Sequence, residues 1–272
     1  MKNAIVNNTI GMLKREPKNN SESVDEVLFG MNVEILKEEF NNWFYVRTRY
    51  NYEGYINGIY LIINDKLSKK WEMEKNSMVI NSFADILNKP QASGFSIATL
   101  TRGANLISTS ECSKDNKFTK VILPNLSMGW IRSSFISSLK SGYDINDEED
   151  LRNNLVSSAV SYIGTQYRWG GKTPLGIDCS GLCSMAYMLN GILIYRDAKI
   201  KEGFPIKEIT FKQIKKGDLI FFPGHVAMYL GDGKYIHSST SNDVVKINSF
   251  NKNSNDYNED LDRSLKRFGS IF

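Results

Sequence analysis

The sequence predicts an α+β protein: two small all-β barrels over residues 1–64 and 65–140, then an α+β domain over residues 141–272. Three observations lead there. Short β-branched and aromatic runs fill the first part, separated by Gly, Asn and charged clusters, the pattern of small barrels. A glycine-marked pattern recurs once along that part. Beyond it the apolar residues take helical spacing before strands return, and helices followed by strands indicate an α+β arrangement.

In the first barrel the predicted strands include Val33 to Lys37, Trp43 to Arg47 and Tyr55-Ile56. Gly30-Met31-Asn32-Val33 and Gly54-Tyr55-Ile56 have counterparts in Gly103-Ala104-Asn105-Leu106 and Gly129-Trp130-Ile131, at offsets of 73 and 75 residues. Such a period is too long for a solenoid and fits a duplicated domain. A polar, acidic linker from Ser141 to Asp150 follows. Leu151, Leu155, Val156, Ala159, Val160 and Ile163 then predict a helix from about Glu148 to Ile163, with its acidic residues in the first turn. After a glycine-rich loop, a second helix starts at Cys179 or Ser180 and ends near Leu189, ahead of Asn190-Gly191. Strands follow, with Gly217-Asp218 as the turn before Leu219 to Phe222.

Composition narrows the function. Hydrophobic residues make up 41 % and charged residues 24 %, ordinary for a soluble globular protein. The net charge is +4, and Lys and Arg are interleaved with Asp and Glu, which gives no support for nucleic-acid binding. No run approaches the roughly 18 apolar residues of a membrane span. The start, Met1 to Asn8, lacks the apolar core of an export signal. The expected location is therefore the cytoplasm, or outside the cell if a leader has been removed. Three Cys make no disulfide framework, and Cys179 and Cys183 have no neighbouring Cys or His to complete a zinc site. No cofactor is implied, and the oligomeric state is left open.

The chemistry concentrates in two segments. Tyr167-Arg168-Trp169-Gly170-Gly171 leads to Gly176-Ile177-Asp178-Cys179-Ser180-Gly181, which puts Cys179 at a loop-to-helix junction. A thiol attacks as thiolate, and a helix N-terminus beside a cationic partner lowers its pKa. Backbone N–H groups there also suit an oxyanion. The second segment, His225 to Ser239, is a hairpin turning at Asp232-Gly233 that holds both of the protein's His. Register decides whether they cooperate. A two-residue loop sets His237 opposite Met228, on the other face from His225. A three-residue loop with Gly233 left-handed sets it opposite Ala227, and the two imidazoles then share a face. The sequence permits the second arrangement.

Residues 148–272 resemble the NlpC-type cysteine peptidases, a papain-like family of bacterial cell-wall endopeptidases, through Asp178-Cys179-Ser180-Gly181, the strand from His225 to Gly231 and the downstream His237. The resemblance implies Cys179 as nucleophile, His225 as general base and later acid, and His237 as the group that orients His225. The units before it resemble bacterial SH3-like domains: the first through Arg15-Glu16-Pro17, Leu28-Phe29-Gly30, Trp43 to Val46 and Tyr52 to Ile56, the second through Arg102-Gly103 and Gly129-Trp130-Ile131. Together they resemble the γ-D-glutamyl-L-diamino-acid endopeptidases of murein-peptide recycling. That likeness implies murein stem peptides with a free N-terminal L-Ala as substrates, cut between D-Glu and either L-Lys or meso-diaminopimelate. It makes Tyr167 an active-site residue and gives Asp178 and Ser180 contacts to substrate. Tyr52 closes the pocket, Asp197 stands near the substrate amine, and Glu16, with Glu22 as its neighbouring alternative, adds an acidic group. Ala198 and Lys201 depart from the family, which often has Ser and Gln there, so fine specificity is open while the triad is not.

Other readings stand beside these. Tyr167 could be a core aromatic, Tyr52 a barrel-surface one, and Asp197 and Glu16 solvated charges. Trp169 reads as a packing residue and Cys183 as buried filler one turn beyond Cys179. At the level of function, the alternatives are a peptidoglycan-binding wall protein and an amidase or other hydrolase acting on intact murein.

Overall fold

The computed structural model describes residues 2–140, 142–143, 147–241 and 243–272. Of the acidic linker, residues 141 and 144–146 lie outside them. The chain divides into two units, Met1–Leu139 and Lys140–Phe272.

The first unit holds two sheets. Strands Lys2–Val6, Ile10–Lys14, Ser23–Leu28, Asn32–Glu39, Trp43–Thr48, Glu53–Asn57 and Leu61–Ile63 (β1–β7) pair in the order β3-β2-β6-β5-β4-β1-β7. Strands Ser77–Val79, Phe83–Leu87, Ser96–Thr101, Asn105–Cys112, Phe118–Ile122, Met128–Arg132 and Ile136–Ser138 (β8–β14) pair as β10-β9-β13-β12-β11-β8-β14, the same order moved on by seven strands. The recurrence reaches single hydrogen bonds. Gly30 N–H donates to the Val6 carbonyl and Gly103 N–H to that of Val79, both at 2.8 Å, and both glycines have positive φ (75° and 90°). A side chain at Gly30 would also strike the Asn105 carbonyl at 2.2 Å. Each sheet wraps its own apolar core, Val6, Leu13, Val46 and Ile56 in one and Val79, Ile86, Leu106 and Ile131 in the other.

The segment read as all β also contains a helix, Asp65–Glu74 (α1). Asn64 caps it by accepting from Leu67 N–H, and Trp71, 1 % exposed, donates its indole N–H to the Gly30 carbonyl at 2.8 Å. Lys and Glu cover its solvent side, so only Ser68 and Trp71 are buried, too narrow a stripe to signal a helix by periodicity.

The second unit is α+β. Helices Glu148–Val160 (α2), Cys179–Met188 (α3) and Glu259–Arg263 (α4) accompany a short pair, Lys172–Thr173 with Gly176–Ile177 (β15, β16). A six-stranded sheet is formed by Lys207–Ile209, Leu219–Phe222, His225–Gly231, Lys234–Ser238, Val245–Ser249 and Arg267–Ser270 (β17–β22), in the order β17-β22-β18-β19-β20-β21. Helix α2 stops before the predicted Ile163, because Tyr162 and Ile163 close tighter turns onto Ala159 and Val160 and Gly164 then turns left-handed (φ 81°). Arg152, 3 % exposed at its side chain, bonds the Asp218 carboxylate at 2.9 Å and the Lys216 carbonyl at 2.7 Å, fixing α2 to the turn before β18.

Candidate active site

Cys179 opens α3 because Asp178 caps it. The Asp178 carboxylate accepts from Gly181 N–H at 2.6 Å while its own backbone stays extended (φ −92°, ψ 178°), the geometry that lets a short acidic side chain satisfy an orphan donor. Glycine is required at 181: a Cβ there would meet the Gly171 carbonyl at 2.2 Å. The Asp-Cys-Ser-Gly run thus lets the glycine-rich loop pass close over the start of the helix.

Asp178 is held from a second side by a residue that the sequence did not single out. Arg196, 1 % exposed, reaches both carboxylate oxygens at 2.9 Å, the Ser180 hydroxyl at 2.7 Å and the Gly171 carbonyl at 3.3 Å. Gly170 N–H adds a bond of 2.9 Å to Asp178. Asp178 and Ser180, expected at the substrate, form with Arg196 a buried frame at the start of α3. Nothing in the spacing of Arg196 announced this, since it comes from a bend 18 residues on.

His225 and His237 share a face, but not by the loop expected. The turn is two residues long, with Asp232 and Gly233 both left-handed (φ 49° and 71°), and Gly231 pairs with Lys234. Alone, that turn would part the imidazoles. A bulge between Tyr229 and Gly231 inserts Leu230 into β19 and shifts the register, so Tyr229 faces Tyr235 and Met228 faces Ile236. His225 Nε2 then lies 2.8 Å from His237 Nδ1, with ring centroids 5.0 Å apart. His237 is fully buried, and its Nε2 is 2.9 Å from Asn248 Oδ1 on β21.

Cys179 meets this strand: its sulfur accepts backbone hydrogen bonds from Val226 and Ser180 N–H. Electrostatics differ from the thiolate expected at a helix N-terminus. Burial pushes the Cys179 thiol up to about 11, with the Asp178 charge adding to the rise and the Val226 bond opposing it. Burial and the neighbouring His237 bring His225 down to about 4. Desolvation thus disfavours the charged form of each group.

Tyr167 is half-buried, and its hydroxyl is pushed up to about 12, chiefly by burial, with the nearby Cys179 and Asp178 adding to the rise. Asp197 is half-buried, and with Ser180, Cys183, Tyr195, Lys199 and Val226 it lines a small cavity next to the start of α3. Trp169 is 62 % exposed, which corrects its assignment to packing, while Gly170 and Gly171 that follow it are buried. Cys183 is buried one turn behind Cys179. Tyr52 and Glu16 belong to the first unit, where Tyr52 packs on the core of the first sheet and Glu16 is exposed and paired with Lys18. Among the described residues no group of His, Cys, Asp and Glu could hold a metal ion.

A family model described as the NlpC/P60 family matches residues 164–260. The chain is 44 % identical over 271 residues to dipeptidyl-peptidase 6 of Lysinibacillus sphaericus, covering 99 % of this chain and 100 % of that one. It is 30 % identical over 202 residues to a γ-D-glutamyl-L-lysine dipeptidyl-peptidase of Bacillus cereus, covering 65 % of this chain and 58 % of the other. Among solved structures, an NlpC/P60 family protein from Bacillus cereus superposes with a TM-score of 0.78 over 97 % of this chain and 98 % of its own, at 21 % identity, a likeness of fold.

Proposed function

This chain belongs to the NlpC/P60 family and is a cysteine peptidase, and from that premise we propose that it hydrolyses the bond between γ-D-Glu and an L-diamino acid, L-Lys or meso-diaminopimelate, in cell-wall stem peptides with a free N-terminal L-Ala. One observation carries the chemistry: a thiol at a helix N-terminus, packed against the strand whose His225 is hydrogen-bonded to a second, buried imidazole. His225 takes the Cys179 proton as the sulfur attacks the scissile carbonyl, then gives it to the departing amine. Water, deprotonated by the same imidazole, releases the acyl group and restores the thiol. His237 keeps His225 in position throughout.

The substrate class rests on the relatives, two of which are named as dipeptidyl-peptidases, one of them for γ-D-glutamyl-L-lysine. Asp197, in the pocket beside Ser180, suits an ammonium group, because a buried cation without a counter-charge is costly. Tyr52 and Glu16 keep, within this proposal, the parts that the resemblance implies. The two sheets of the first unit are taken as SH3-like barrels on the strength of their repeated strand order. A cytoplasmic place for the enzyme belongs to the same proposal.

The test is kcat/KM on L-Ala-γ-D-Glu-diamino-acid peptides with a free or an acetylated N-terminus. Loss of the charge pair predicts a penalty of about 2–5 kcal/mol, at least thirtyfold, on acetylation. Asp197→Asn should erase most of that preference. Equal rates on the two peptides would overturn the free-amine specificity and favour an enzyme that trims intact wall.

A further inference from the structure

The catalytic His pair continues into a third strand. Reading across the sheet, His225 on β19, His237 on β20 and Asn248 on β21 stand on one diagonal: His237 is directly opposite Lys246, and Asn248 is the next residue along on the same face. Distances along the line are 2.8 Å from His225 Nε2 to His237 Nδ1 and 2.9 Å from His237 Nε2 to Asn248 Oδ1. Asn248 is 4 % exposed and His237 fully buried, so water has little part in the chain.

Its polarity is set at the far end. Asn248 Nδ2 donates to the Asp256 backbone carbonyl at 2.8 Å. Turning the amide over would set its oxygen against that carbonyl, two acceptors in contact, so Oδ1 must be the atom that meets His237. A carboxamide oxygen only accepts; hence His237 Nε2 carries a proton. A neutral His237 then has a bare Nδ1, which can only accept, and His225 Nε2 must be the donor to it. That leaves Nδ1 of His225 as the free basic nitrogen. We propose that Asn248, anchored by the Asp256 carbonyl, is a positioning residue that dictates the tautomer of His237 and through it the direction in which His225 presents its lone pair to Cys179. The inference rests on the roles given above to Cys179 and His225, yet it is read without substrate.

The chain has two His in all, so a protein labelled with 15N-histidine gives two imidazoles to assign by two-bond 1H–15N correlation. At neutral pH His237 should show a protonated Nε2 and a bare Nδ1. In Asn248→Ala the acceptor is gone, His237 should mix tautomers, and kcat should fall about tenfold or more with KM within about twofold, since a wrongly directed base affects the chemical step rather than binding. Asn248→Asp keeps an acceptor toward His237 while losing the donor to the Asp256 carbonyl, and at some cost in stability should keep the tautomer and more of kcat than the alanine variant. It should also raise the pKa of His237, whose other neighbours are His225, the Tyr235 ring at 5.4 Å and Lys246 across the strand pair, with Asp178 acting on His225. A merely structural Asn248 would lower thermal stability in both variants and leave the tautomer alone. His237 protonated on Nδ1 in the wild type, or an alanine variant with the wild-type tautomer and kcat, would overturn the proposal. If Asn248→Ala fails to fold, the wild-type spectrum and the aspartate variant still decide it. Loss of the peptidase reading would show instead as an inactive wild type with the expected spectrum.

Discussion

Arg196→Met removes the guanidinium and leaves a side chain of similar length. It leaves the Asp178 carboxylate, 7 % exposed, with bonds from Gly181 N–H, Gly170 N–H and the Ser180 hydroxyl but no counter-charge. At least four hydrogen bonds disappear, two of them to the carboxylate at 2.9 Å. Breaking a buried pair from one side costs roughly 3–5 kcal/mol, most of it the uncompensated charge. Asp178→Asn should cost a similar amount by stranding Arg196, although Asn still caps the helix well. The double variant removes both charges together, and its loss should be smaller than the sum of the single losses by at least about 2 kcal/mol. Urea unfolding of the four proteins, followed through the transition of the catalytic unit, gives the cycle. Activity should follow a different course: kcat/KM stays low in the double variant, because α3 no longer has the frame that sets Cys179 against β19. Single losses that add to the double within about 0.5 kcal/mol would refute the argument that charge pairing holds this frame together.

Gly181→Ala should destabilise the catalytic unit by about 1–3 kcal/mol and depress kcat, because its methyl group collides with a backbone carbonyl that cannot swing away; a variant with wild-type melting and activity contradicts the close approach. Thiolate absorbance in the wild type minus Cys179→Ala should rise only as pH approaches about 11, and kcat/KM should fall on acidification through about 4 as the depressed His225 protonates; a thiolate step complete below neutrality would mean that the helix N-terminus outweighs burial. Small alkylating reagents near neutral pH should label the exposed Cys112 readily and spare Cys183, with Cys179 slowed by its burial; rapid selective labelling of Cys179 would argue for a resting thiolate.

The placement of Cys179 and of both imidazoles was legible because each sits in a short run whose residue types are tied to local geometry: a cap, a glycine under a carbonyl, a turn. The register of the hairpin was legible only in its outcome. Loop length alone offers two answers, and the bulge at Leu230 decides between them. Arg196 and Asn248 were missed for a related reason: they reach the site from a bend and from a neighbouring strand, and their partners are set by tertiary packing. The duplicated sheets could be read from two glycine-marked segments, since Gly30 and Gly103 answer the same backbone demand. Helix α1 could not, because its apolar stripe is a single Trp above a serine. The enclosure of Cys179, 8 % exposed, was not legible either, because the strand that covers it is far along the chain.

The measurement closest to the central claim is product analysis on L-Ala-γ-D-Glu-L-Lys and its meso-diaminopimelate counterpart by mass spectrometry, with wild type and Cys179→Ala side by side. The wild type should release L-Ala-γ-D-Glu and the free diamino acid from at least one of them, and the alanine variant, folded as judged by its melting curve, should release neither. Cleavage at another bond, no cleavage of either peptide, or turnover by Cys179→Ala would contradict the account.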